Sequence, residues 1–104
     1  MEFVIQSPGV KISEEMQFAI QDKFDKLDHL LPGIIRCNLL FTIEKSPSNP
    51  CHVQANLSVP GADLFAKESA ESFPHAARLV IDDLENQIRK NKEKRNNHHT
   101  QPLA

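Results

Sequence analysis

The chain has 104 residues, with 12 Lys+Arg against 14 Asp+Glu, 39% apolar side chains, 6 Phe, no Trp or Tyr and only 3 Gly. Those proportions predict one soluble globular domain and exclude a disordered or fibrous chain. The longest apolar runs, such as Phe3-Val4-Ile5 and Leu79-Val80-Ile81, fall far short of the about 20 residues that span a bilayer, so no transmembrane helix is expected.

Met1-Glu2-Phe3 opens without a basic or long apolar segment, so no secretory leader is expected and the cytoplasm is the default compartment. The net charge is uneven along the chain. Residues 1–88 carry 7 Lys+Arg and 13 Asp+Glu, a balance of −6, whereas residues 89–104 carry 5 and 1, a balance of +4.

Residues 2–7 read as a short strand closed by the turn pair Pro8-Gly9. Ser13 then offers a side-chain oxygen to the free amides of a helix start, with Glu14 and Glu15 in the first turn where the helix dipole favours acids. Met16, Ile20, Phe24, Leu27 and Leu31 recur at helical spacing, and Pro32-Gly33 stops the helix near residue 31. From 34 to 44 the period changes to two: Ile35, Cys37, Leu39, Phe41 and Ile43 alternate with mostly polar residues. After the loop 45–50, Cys51, Val53, Ala55, Leu57 and Val59 repeat that pattern. Pro60-Gly61 suits a type II turn, so 62–70 returns as a third strand of an antiparallel meander. A second helix starts near Ser72 to Pro74, with Phe73, Ala77, Val80, Leu84 and Ile88 as its apolar stripe.

The order βαβββα predicts an α+β domain at 1–95, a four-stranded sheet with two helices packed on one face, followed by a flexible tail at 96–104. The uncovered face, bearing Arg36, Asn38, Thr42, His52, Gln54, Asn56 and Ser58, is expected to be polar.

Little in this chain suits catalysis. Cys37 and Cys51 share the buried phase of their strands, but a hairpin around 45–50 sets them about 20 Å apart, beyond disulfide reach, so two reduced core thiols are expected. No Cys-x-x-Cys or His-x-x-x-His spacing occurs, and no metal or cofactor is expected. Ser72-x-x-His75 reads as helix capping rather than a dyad, and Asp82-Asp83 as a solvated helix face. The exception is cationic: Arg89, Lys90, Lys92, Lys94 and Arg95 place five positive charges within seven residues of one projecting helix. One or two cations satisfy a helix dipole, so five point to phosphates. With no Tyr or Trp for stacking, contacts to backbone and shape are expected to dominate.

Ile5-Gln6, the helix from Ser13 through Lys23-Phe24-Asp25-Lys26-Leu27, the two-faced strand at 34–44 and the closing segment Leu84 to Lys94 together resemble the ribosome hibernation-promoting factor family, also known as ribosome-associated translation inhibitors or sigma-54 modulation proteins. The likeness covers roughly residues 3–95, and its most specific part is the helix end "Leu, x, x, Gln, apolar, Arg, Lys, x, Lys". It implies a fold similar to double-stranded-RNA-binding domains and a non-catalytic factor of stress and stationary phase. Such a factor binds the small-subunit channel for messenger and transfer RNA and blocks translation. Lys23, Lys26, Arg89, Lys90, Lys92 and Lys94 match family positions that face ribosomal RNA, and Arg95 extends that surface by charge. Ser72 and Pro74 replace the family's usual acidic and aromatic residues, and Asp83 a common lysine.

The chain length resembles the family's short form, without the dimerisation domain of the long form, and a free monomer with no membrane partner is expected. The alternative is a protein-interaction module, such as a transcription-factor modulator, that uses the acidic body or the polar sheet face.

Overall fold

The computed structural model describes the backbone of residues 1–100 and the side chains of residues 1–90. The elements are β1 (Glu2–Gln6), α1 (Glu14–Asp25), α2 (Leu27–Leu30), β2 (Arg36–Ile43), β3 (Cys51–Val59), β4 (Ala62–Ala70) and α3 (Phe73–Thr100). The four strands lie in the order β1-β2-β3-β4. The meander β2-β3-β4 is antiparallel as expected, in register Phe41↔Val53 and Ala55↔Ala66. β1 joins its edge in parallel, with Phe3 opposite Cys37 and Ile5 opposite Leu39, which makes the sheet mixed. The intervening helices allow this, because a parallel neighbour needs a long crossover to bring the chain back.

Alternation along the strands turns one face of the sheet toward the helices. Cys37, Leu39 and Phe41 of β2, Val53, Ala55 and Leu57 of β3, and Ala66 and Ala70 of β4 are buried there. α3 lies across β4 and β3, and α1 packs beside α3. Ile20, Phe24 and Leu27 form the buried stripe of the first helical segment, and Phe73, Ala77, Val80, Leu84 and Ile88 that of α3. Each such Leu, Ile or Phe contributes about 1.5–3 kcal/mol of transfer free energy. Phe73, at the start of α3, meets Phe41 edge to face, with ring centroids 5.5 Å apart and planes at 86°.

The single helix expected from Ser13 to residue 31 is divided at Lys26. There the ladder tightens, with the His29 amide bonded to the Lys26 carbonyl only three residues back, and regains the four-residue step at Leu31 to Leu27. The break still leaves Leu27 fully buried below Phe24. Leu31 leaves helical geometry ahead of Pro32, and Gly33 supplies the positive φ (93°) of the turn into β2.

Both cysteines are free. Cys37 is buried, whereas Cys51, at the first position of β3, is half-buried and directs its thiol toward the Glu71 carbonyl at 3.7 Å. Cys51 pairs with Ile43 and Cys37 with Leu57, which separates the two by six register steps or about 20 Å. The outer sheet face is mostly polar, with Val4 and Leu40 half-buried on it and Phe65, opposite Asn56, 49% exposed among the amides. The expected tail at 96–104 lies outside the residues whose side chains are described.

Candidate nucleic-acid interface

The interface starts with the local chemistry of α1. Ser13 caps it by accepting from the Met16 amide at 3.1 Å, Glu14 and Glu15 occupy its first turn and Lys23 its last. Lys23 and Lys26 are three residues apart and therefore share a side of the segment, next to the buried stripe rather than within it. α3 is capped by Ser72, whose Oγ accepts from the His75 amide at 3.3 Å, so Ser72-x-x-His75 is helix-capping chemistry.

α1 and α3 run in the same sense. Ser13, Glu15, Met16 and Ala19 of the first turns of α1 border Pro74 at the start of α3, while Lys23 and Lys26 border residues 78–85. Both helices thus point their dipole-negative ends in one direction, which favours cations there. Between the end of α1 and the middle of α3 opens a cleft of about 250 Å³ lined by Lys23, Lys26, Arg78, Ile81, Asp82 and Glu85.

Two of the residues expected at RNA, Lys23 and Lys26, are brought together in this cleft. Arg78 joins them, although no motif marks it: a single arginine on an amphipathic helix reads as a solvated residue, and only the packing of α3 on α1 places it beside the two lysines. Asp82, read from sequence as part of a solvated face, also lines the cleft. Asp83 does not, and instead accepts from Gln87 Nε2 at 3.2 Å.

Arg89 and Lys90 are exposed further along α3. Arg89 Nη2 lies 3.9 Å from Glu85 Oε2, one turn back, which links it to the rim of the cleft. An exposed pair at that distance contributes at most a few tenths of a kcal/mol and leaves Arg89 available to other anions. The backbone of α3 continues through Lys92, Lys94 and Arg95, whose side chains lie outside those described.

Other candidates resolve into structural roles. Burial pushes the Cys37 thiol up to about 12, so it is protonated and unreactive at neutral pH. Among the described residues no group of three His, Cys, Asp or Glu is placed to hold a metal, and no helix is long and apolar enough to cross a membrane.

Fold and site together define a small α+β module that presents a charged cleft and a cationic helix end. Residues 3–96 match the family described as Sigma 54 modulation protein / S30EA ribosomal protein, and the chain belongs to that family. The family is one of ribosome-associated factors and not of enzymes. Over 94 residues the chain is 26% identical to a ribosome hibernation promoting factor of Azotobacter vinelandii, covering 90% of this chain and 85% of that protein. A ribosomal subunit interface protein from Coxiella burnetii superposes with a TM-score of 0.76 at 25% identity, over 89% of this chain and 99% of the other. The N-terminal domain of Thermus thermophilus Protein Y shares the fold, with a TM-score of 0.74 at 15% identity over 86% and 98% of the two chains.

Proposed function

We propose that this chain is a non-catalytic translation inhibitor that binds the small ribosomal subunit and occupies the channel used by messenger and transfer RNA. Lys23, Lys26, Arg89, Lys90, Lys92, Lys94 and Arg95 contact ribosomal RNA phosphates, and the bulk of the sheet and helices excludes the other ligands. Inhibition is steric. It operates in the cytoplasm of starved or stationary-phase cells, with the free protein a monomer.

The observation that carries this reading is the convergence, in a member of a ribosome-associated family, of Lys23 and Lys26 with the Arg89 end of α3 on one side of the helical layer. Although the chain carries a net charge of −2, cations gathered there offer a local positive surface to a polyanion. The test is sedimentation: purified small subunits incubated with the protein and run through a sucrose gradient carry it into the subunit fraction and, in a cell-free system, the same concentration stops initiation. Protein that stays at the top of the gradient at low salt refutes the reading. Capture by a protein partner through the Phe65 face, without ribosomes, would replace it with the interaction-module alternative.

A further inference from the structure

We propose that the α1–α3 cleft is a ribonucleotide subsite in which Lys23, Lys26 and Arg78 hold one backbone phosphate while Asp82 and Glu85 accept a hydrogen bond from the neighbouring ribose 2′-hydroxyl. This rests on the RNA-binding reading above and adds to it a residue, Arg78, and a discrimination, RNA over DNA.

The starting point is the mixture of charge. Five of the six residues lining the cleft are ionisable, three cationic and two anionic. Were the carboxylates present to anchor α1 on α3, closed ion pairs would join them to Lys23 or Lys26. The ion pairs among the described residues are instead Glu2–Arg36, Glu44–His52, Glu71–His75 and Glu85–Arg89. Lys23, Lys26, Arg78 and Asp82 thus face one another across a cleft of about 250 Å³ with no pair within 4.0 Å, and Glu85 touches only Arg89, at 3.9 Å.

A site built for phosphate alone gains nothing from two carboxylates, which repel phosphate and find no proton on it to accept. A ribose hydroxyl does donate to a carboxylate, and a sugar linked to its phosphate presents both chemistries within one nucleotide. Ile81, 7% exposed, supplies an apolar surface for the carbon face of the sugar between the two polar walls. Because the 2′-hydroxyl is the group that separates RNA from DNA, the carboxylates convert a general polyanion cleft into one that prefers RNA.

The experiment uses the full chain with fluorescently labelled octauridylate and its 2′-deoxy counterpart at low salt, read by anisotropy. The parent binds the RNA about threefold to tenfold more tightly than the DNA, the range of one net hydrogen bond. Arg78→Ala weakens both by about fivefold, as loss of one exposed charge contact does. Asp82→Ala combined with Glu85→Ala, which removes both acceptors, brings the RNA-to-DNA ratio close to one. If the carboxylates only repel phosphate, that double variant binds both oligonucleotides more tightly by the same factor and the ratio persists, which overturns the proposal. So does a parent ratio of one, or an Arg78→Ala variant equal to the parent.

Arg78 and Asp82 are exposed, and a thermal melt within a few degrees of the parent confirms that each variant is folded. Sedimentation with small subunits runs in parallel. Parent and variants that co-sediment equally while the ratio stays at one reject the cleft and leave the ribosome reading standing. A parent that does not co-sediment rejects the ribosome reading, and the oligonucleotide ratio then decides the cleft alone.

Discussion

Gln87 of α3 donates through Nε2 to the backbone carbonyl of Phe65 in β4 at 2.7 Å. β4 is an edge strand, so alternate carbonyls along it lack a strand partner, and a side chain from the covering helix satisfies this one. Asp83, one turn earlier on α3, accepts from the same Nε2 at 3.2 Å and orients the amide. The glutamine that stands in the most family-like stretch of the sequence is thus a clamp between α3 and the sheet, and it fixes the direction in which the basic end of α3 projects.

Replacing Gln87 by Leu removes that bond and costs about 1 kcal/mol, seen as a fall of roughly 4–8 °C in the melting temperature of a domain this size. Gln87→Glu is worse, because a carboxylate then faces both the Phe65 carbonyl and Asp83. Thermal melts of the two variants check the order, and a glutamate variant as stable as the parent contradicts the clamp.

Neutralising Arg89, Lys90, Lys92 and Lys94 together flattens the salt dependence of small-subunit binding. Each phosphate contact contributes about 0.7–0.9 to the slope of log K against log salt, so four lost contacts remove roughly three from it. Neutralising Lys11 and Lys45, exposed positions that the resemblance does not place at RNA, changes neither affinity nor slope. Equal slopes for parent and quadruple variant would assign the cationic end to solubility alone.

The two thiols separate under alkylation. Cys37 is fully buried with its ionisation pushed up to about 12, while Cys51 is half-buried at the end of the sheet. Mass analysis of native protein treated with iodoacetamide at pH 8 finds a single adduct, on Cys51, and a second on Cys37 only after denaturation. Rapid double labelling would show that the β2 core opens more readily than its packing implies.

Glu71 holds a pH-dependent contact at the entrance to α3. The hydrogen bond from His75, at 2.8 Å, holds the Glu71 carboxyl below its ordinary value of 4.5, with the Glu71 backbone amide adding to the effect. A depressed acid stabilises the fold above its unfolded value and loses that contribution as pH falls through the lower, folded value. The contact is therefore intact at neutral pH and is lost below 4.5. Titration of the Glu71 side-chain carbon by NMR shows a midpoint below that of the unfolded chain, and His75→Ala raises it; an unchanged midpoint removes His75 as the cause.

What the sequence determined by itself is local. The four-, four- and three-residue steps from Met16 to Leu27, the two-residue period of β2 and β3, and the Pro60-Gly61 turn (φ 82° at Gly61) each announce an element, because helical and strand periodicity is written over a few neighbouring residues. Ser13 and Ser72 announce the two helix starts for the same reason: a cap reaches only three residues along the chain. The meander register followed as well, since the loop 45–50 leaves Cys51 opposite Ile43.

Only the tertiary structure decided what depends on pairs distant in sequence: the parallel seat of β1 on β2, Gln87 on Phe65 across 22 positions, the exposure of Phe65 on a mostly polar face, and Arg78 beside Lys23 and Lys26. Arg78 was illegible for a physical reason. Its own neighbours make it an ordinary exposed helix residue, and its partners belong to another helix brought alongside by burial of Phe24 and Leu27 against the face that α3 covers. The apolar stripes carry the information that the helices pack, and the packed geometry alone carries which charges then meet.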